Sequence, residues 1–142
     1  MNTQSKPVFR NPDKYQVLEW REWMREKLPN GRGGMVVEDL DLVPLLFGTL
    51  INRPYDADGK FMFVEIKTAI GKMGYAQQRV FSLIHRLLRK ADPQQDFYIG
   101  FYLVRWNGKF PESVNGIRVT ENDFVEFMTG KRQIKSLFET DA

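Results

Sequence analysis

The 142-residue sequence predicts an α/β or α+β fold, a mixed β-sheet flanked by helices in the order helix, strand, strand, helix, strand, strand, helix (αββαββα). Three observations carry that expectation. Apolar residues recur at helical spacing in two stretches, 12–28 and 75–90. Between and after them lie short runs rich in Val, Ile, Phe and Tyr, residues that suit a pleated, half-buried surface. Asn, Asp, Pro and Gly cluster where the pattern changes, as turn chemistry requires. With 42% hydrophobic residues, a chain this long can bury roughly 70% of its unfolded surface in one core, so a single domain over 1–142 is expected.

The first helix is expected over about 12–28. Asn11 can cap it, Pro12 has the backbone angle of a first turn, and Asp13 complements the helix dipole. Val17, Trp20, Met24 and Leu28 form its apolar stripe, and Pro29-Asn30-Gly31 stops it. The run Gly31–Gly34 lacks the Lys-Ser/Thr of a phosphate-binding loop and reads as a turn. Met35 to Val43 and Phe61 to Lys67 read as strands, joined through turn-forming residues over 52–59, so they can pair as an antiparallel hairpin. Tyr75 to Lys90 reads as a helix whose apolar face is Ala76, Val80, Leu83, Ile84, Leu87 and Leu88, closed by Asp92-Pro93. Phe97 to Arg105 is apolar almost throughout, as a strand covered on both faces must be. Trp106 to Lys109 reads as a turn and Ile117–Val119 as a short strand. Thr120 and Asp123 resemble a capping box for a last helix over about 121–129, ended by Gly130.

The composition excludes several classes of function. Without cysteine there is no disulfide framework, thiolate metal site or cysteine nucleophile. His85 is the only histidine, too few for a histidine metal cluster, and it reads as a structural or surface residue. No apolar run approaches the length of a membrane span or signal segment, so a cytoplasmic protein without a membrane partner is expected. Charge is unevenly distributed: residues 60–90 hold 7 Lys/Arg against 1 Asp/Glu, within a chain whose net charge is only +3. Such a zone attracts polyanions, and Lys72, Arg79, Arg86, Arg89 and Lys90 are its candidate phosphate contacts. An ordinary solvated helix face is the plainer explanation.

Chemistry concentrates on the hairpin. Alternation along a strand puts Asp39 and Asp41 on one face of the first strand, and Glu65 and Lys67 on one face of the second. If the hairpin is centred near Arg53, Asp41 lies across from Glu65 and Asp39 across from Lys67. Paired carboxylates suit a hard divalent cation such as Mg²⁺, and a neighbouring lysine can position an attacking water or stabilise developing charge. Taken pair by pair, the same residues read as cross-strand ion pairs worth under about 1 kcal/mol.

Asp41-Leu42-Val43, then Glu65-Ile66-Lys67 after an apolar run, then a Gln-bearing helix, resembles the PD-(D/E)XK nuclease superfamily. The resemblance covers about residues 12–105, with 106–130 as a C-terminal strand and helix. It implies a restriction-endonuclease-like core and hydrolysis of DNA to a product carrying a 5′-phosphate. It also implies Mg²⁺, with Mn²⁺ able to substitute, held by Asp41 and Glu65, Lys67 as the catalytic lysine, and a possible homodimer. A glutamine early in the following helix joins the site in some branches, and Gln77 or Gln78 matches it. Glu19 or Glu22 matches a helix-borne glutamate of other branches. Leu40 stands where the family's proline would be, and Asp39 competes with Asp41 as the metal ligand. A non-catalytic DNA-binding or assembly module that keeps the nuclease fold is the alternative.

Overall fold

The computed structural model describes residues 40–68 and 70–139, together with Trp23, Glu26 and Lys27, which are helical. The chain divides into two units, Met1–Val37 and Glu38–Ala142. Trp23, Glu26 and Lys27 fall within the expected first helix, whose other residues, with the first part of the expected strand, Asp39, Glu19 and Glu22, lie outside the described residues.

The second unit is a mixed α/β arrangement of one five-stranded sheet and two helices. Its strands are β1 (Leu45–Leu46), β2 (Lys60–Thr68), β3 (Tyr98–Trp106), β4 (Pro111–Val114) and β5 (Ile117–Arg118), hydrogen-bonded in chain order. Helix α1 (Tyr75–Ala91) joins β2 to β3, and α2 (Glu121–Met128) follows β5. β2 and β3 are parallel and the other neighbours antiparallel. Parallel neighbours need a long crossover, which α1 provides.

The sheet separates two apolar clusters. Leu46, Met62, Val64, Tyr102, Val104, Val114 and Phe127 pack on the α2 side. Met73, Phe81 and Phe101 pack on the α1 side, with Phe63 and Leu103 against them. β3 is therefore covered on both faces, in keeping with its unbroken apolar sequence. Phe61 pairs with Tyr98 but Met62 with Gly100, so Ile99 is an extra residue that lets Tyr98 join the α1 side with Phe63. Gly100 is required by close approach: a Cβ there would lie 2.8 Å from the Ser136 Cβ. That space admits the C-terminal segment, where Leu137 N–H donates to Phe101 O (2.8 Å) and Phe101 N–H to Ser136 Oγ (2.8 Å).

The order among the described residues differs from αββαββα after α1, where three strands stand in place of two. Pro111 argues against a strand in the sequence, yet it sits at the first position of β4, where no preceding ladder bond is needed from its nitrogen. Asn115 and Gly116 then make a two-residue hairpin turn, both with positive φ (50° and 82°). Asn115 also ties three segments together, its Oδ1 accepting from Leu103 N–H (2.7 Å) and its Nδ2 donating to Lys135 O (2.8 Å). The last helix starts as expected: Thr120 Oγ1 accepts from Asp123 N–H (3.0 Å) while Asp123 Oδ2 accepts from Thr120 N–H (3.1 Å). The bond from Thr120 N–H holds the Asp123 carboxyl below its ordinary pKa.

The buried face of α1 also differs from expectation. Phe81 and His85 are buried, whereas Leu83 and Leu87 are 48% and 59% exposed. Their spacing suits a helical stripe, but the aromatic wall of β3 presents a better partner for Phe81, whose ring lies 4.7 Å from that of Phe101. Phe101 and Tyr102 are core residues, while Trp23 and Phe97 are close to half exposed.

His85 is structural. Its Nδ1 accepts the Tyr98 hydroxyl proton (2.8 Å), and its Nε2 lies 3.7 Å from Glu139 Oε2, so one neutral tautomer serves both neighbours. Burial lowers its pKa below 6.5, outweighing the opposite pull of Glu139. Burial also raises the hydroxyl of Tyr98, and that of Tyr102 to about 12. Because the unfolded chain binds the histidine proton more readily, stability should be full above about pH 6.5 and fall as the pH drops through it. Thermal denaturation between pH 7.5 and pH 5 should show that fall, and His85→Gln should flatten it while lowering the melting temperature at the upper end. Asp92 and Asp123, with pKa values below 3.8, release their contribution only in more acidic solution.

Candidate functional site

The site grows from the edge of β2. An isolated antiparallel bridge pairs Leu42 with Val64, and β1 pairs Leu45 with Phe61 and Leu46 with Lys60. This is the register expected for the hairpin; continued one residue it would set Asp41 opposite Glu65, but Asp41 itself lies in a bend and forms no bridge. Leu42 and Leu45 are separated by Pro44, which accepts from Met62 N–H (3.2 Å) but has no N–H to return, so the ladder is interrupted there. The expected strand over 35–43 is thus realised, within the described residues, as a bridge and a two-residue strand further along the chain.

Asp41 does not lie on a regular strand face. Leu40 packs on the α1 side and Leu42 on the α2 side, so alternation fails across the bend at Asp41. Its carboxylate instead meets the edge of β2, where Oδ2 accepts from Ile66 N–H at 2.8 Å. Where backbone pairing along β2 ends, a carboxylate takes its place.

Glu65 and Lys67 alternate with Val64 and Ile66 and so share the α1 side with Phe63. Glu65 is 3% exposed, Lys67 is half-buried and Asp41 is exposed. A carboxylate as buried as Glu65 is costly unless it is hydrogen-bonded or charge-compensated. The parallel register sets Lys67 beside Arg105, a residue that the sequence marks only as the end of an apolar strand. Arg105 Nη1 donates to Thr68 O (2.9 Å) and also to Gly71 O, which fastens the loop leading from Lys67 to α1. A lone arginine closing a central strand was the available signal.

Gln77 is engaged at the start of α1, where its Oε1 accepts from Gly74 N–H (3.3 Å). Gln78 donates to Met73 O (3.2 Å). Both therefore secure the helix N-terminus. Of the basic residues, Lys72, Arg79, Arg86 and Lys90 are exposed, with Arg79, Arg86, Lys90 and the exposed Leu83 on one helix face. Arg89 does not belong to that surface. Its guanidinium lies 2.6 Å from Glu139, donates to Tyr98 O and Ile99 O (3.2 and 3.0 Å), and stacks over the Tyr98 ring.

No family model, curated protein or solved structure matches this chain. Among the described residues no group of three or more His, Cys, Asp or Glu is arranged to hold a metal ion, and no helix is long and apolar enough to cross a membrane. The described donors for a hard cation are the two carboxylates of Asp41 and Glu65. Two suffice for Mg²⁺, which usually keeps several waters and takes further oxygens from phosphate.

The bond from Ile66 separates a structural role of Asp41 from a chemical one. Asp41→Ala should cost about 1 kcal/mol and speed exchange of the Ile66 amide, because a backbone donor loses its partner. Asp41→Asn keeps an acceptor oxygen and should leave that amide protected. Hydrogen exchange followed by NMR reads both.

Proposed function

We propose that this chain is a metal-dependent nuclease hydrolysing phosphodiester bonds of DNA, on a variant of the restriction-endonuclease-like core. The observation that supports the reading is the hairpin register, which, continued one residue past the Leu42–Val64 bridge, would bring Asp41 opposite Glu65, while Lys67 shares the face of Glu65. Asp41 and Glu65 would hold Mg²⁺ or Mn²⁺ between the end of the Leu42 bridge and the middle of β2. A bound ion of this kind supplies a Lewis acid and an acidified water. Lys67 would orient the attacking water or stabilise the extra negative charge on the phosphoryl oxygens. The water oxygen then bonds to phosphorus as the bond to the 3′ oxygen breaks, leaving a 5′-phosphate. Arg105 would act through the loop it fastens. Gln77 would be an accessory only by leaving its bond to Gly74.

Lys72 and the α1 face of Arg79, Arg86 and Lys90 would meet backbone phosphates, contacts that orient a duplex without reading sequence. With Arg89 occupied by Glu139, the exposed stripe is narrower than the sequence implies.

One observation favours a second reading, a DNA-binding module without catalysis: Asp41 already serves Ile66 N–H and so has a structural reason to be present.

Purified protein with Mg²⁺ or Mn²⁺ should cleave duplex, single-stranded or branched DNA, and Lys67→Ala should slow it about 100-fold or more, as loss of a charge-stabilising donor does. Equal rates for the two proteins would overturn the nuclease reading. The module reading instead expects calorimetric DNA binding that needs no Mg²⁺ and no metal binding dependent on Asp41. Under either reading, alanine at Arg79, Arg86 or Lys90 should weaken DNA binding and reduce the slope of log affinity against log salt by about 1 each.

A further inference from the structure

A cleft of about 880 Å³ lies between α2, the β2–β3 pair and the 133–136 segment, but two of its lining arginines are engaged, Arg89 by Glu139 and Arg132 by Asp123 and Glu126. Unengaged cations stand instead where β2 passes into α1. From Ile66 to Ala91 the chain holds no acidic residue. Lys72 and Arg79 are exposed there, and neither makes an ion pair among the described residues.

Two apolar side chains project beside them. Ile70 is 90% exposed, more than any other large apolar residue described, and Tyr75, the first residue of α1, is 77% exposed. A single exposed apolar residue is ordinary. These two lie five residues apart, and both are held in place. Gly71 N–H donates to Thr68 O (3.2 Å) and to Thr68 Oγ1 (3.1 Å), while Arg105 Nη1 donates to Thr68 O (2.9 Å) and to Gly71 O. Ile70 is thus held out beside an anchored residue. Further along, Met73 is buried against Phe81 and Phe101, and Gln77 and Gln78 bond Gly74 and Met73. The Arg79 guanidinium lies 5.7 Å from the centre of the Tyr75 ring, one helical turn away, close enough to be drawn to its face. At 77% exposure the ring still offers a flat surface to solvent.

We propose that this turn and the first turn of α1 bind unpaired nucleotides of DNA, with one base stacked on Tyr75, a neighbouring base against Ile70, and phosphates at Lys72 and Arg79. The substrate class is then a single strand, or a branched or frayed end that carries one. Exposed aromatic rings beside cations suit single strands because every base has a face to stack. An intact duplex hides those faces and could use only the cations. A peptide helix needs a groove, whereas Ile70 projects from the surface. An anionic lipid surface takes a whole apolar helix face, and this segment offers two side chains. The inference rests on the DNA-binding part of the function proposed above, which both readings share, and not on cleavage.

The test is a titration of the full chain, without divalent metal, with a labelled oligothymidylate, a blunt duplex carrying as many phosphates, and phosphatidylserine vesicles. Anisotropy reads the DNA, co-sedimentation the vesicles, and NMR the amide shifts. The single strand should bind at least tenfold more tightly than the duplex, with shifts centred on the stretch from Gly71 to Arg79. Tyr75→Ala should weaken single-strand binding about tenfold, as loss of a stacking ring does, and Ile70→Ser severalfold. Tyr75→Phe keeps the ring and should keep the affinity, and none of the three should alter duplex binding. Both positions are exposed, so the variants should retain the circular dichroism of the parent. Equal affinity for duplex and single strand, indifference to Tyr75→Ala, a loss in Tyr75→Phe as large as in Tyr75→Ala, or vesicle binding in place of single-strand binding would each overturn the proposal. Where the duplex is still bound, the DNA reading stands without it. Binding of neither DNA would overturn that reading and this proposal together.

Discussion

A parallel strand pair cannot leave either face to water without forfeiting its apolar side chains, and the β2–β3 pair imposes that constraint on everything around it. Helix α1 must cross over to make the pair parallel, and in crossing it covers the Phe63 and Phe101 side. Helix α2 and the 133–138 segment complete the cover, which is why Gly100 must lack a Cβ and why Ser136 bonds Phe101 twice. Arg89, Glu139, Tyr98 and His85 form the polar seam where helix, strand and C-terminal segment meet. Their burial accounts for the depressed basicity of the histidine and the raised tyrosine hydroxyls.

The same constraint positions the candidate site. β2 is fixed along one side by β3, so its other edge is where pairing can change character. Up to Val64 that edge is satisfied by backbone; at Ile66 it is satisfied by the Asp41 carboxylate. Acidic and basic groups therefore gather where the apolar strand runs out, with Glu65 beneath the surface, Lys67 half-buried and Arg105 bracing the loop beyond. Such a gathering is what phosphodiester chemistry would use, and it also has a structural explanation in the unpaired edge. The two are compatible, because one carboxylate oxygen can satisfy the strand while the other faces outward.

Where the sequence misled, two patterns competed at one position. Leu83 and Leu87 repeat at helical spacing, but spacing alone does not say which stripe a sheet will receive. The aromatic rings of β3 selected Phe81 and His85. Arg89 looked like a member of the basic stripe because its charge is local information, whereas Glu139 lies fifty residues away and approaches only in the folded chain. β4 begins at a proline, which disfavours a strand, and its local mark in the sequence is the Asn115-Gly116 hairpin turn. Asp41 was expected on a strand face with Asp39, and the bend between Leu40 and Leu42 turned it to the sheet edge instead.

By itself the sequence determined what is local or periodic. It marked α1 and α2 through their spacing and caps, β2 and β3 through their β-branched and aromatic runs, and the register of the Leu42–Val64 bridge through the positions of the turn residues. These follow from backbone preferences and from strand alternation, which need only near neighbours. Only the tertiary structure decided which helix face is buried, which arginine is neutralised, where Asp41 directs its oxygens, and that a cleft exists between α2, the β2–β3 pair and the 133–136 segment. Each depends on residues far apart in the chain, and a side chain's partners are set by packing and charge compensation that no local pattern encodes.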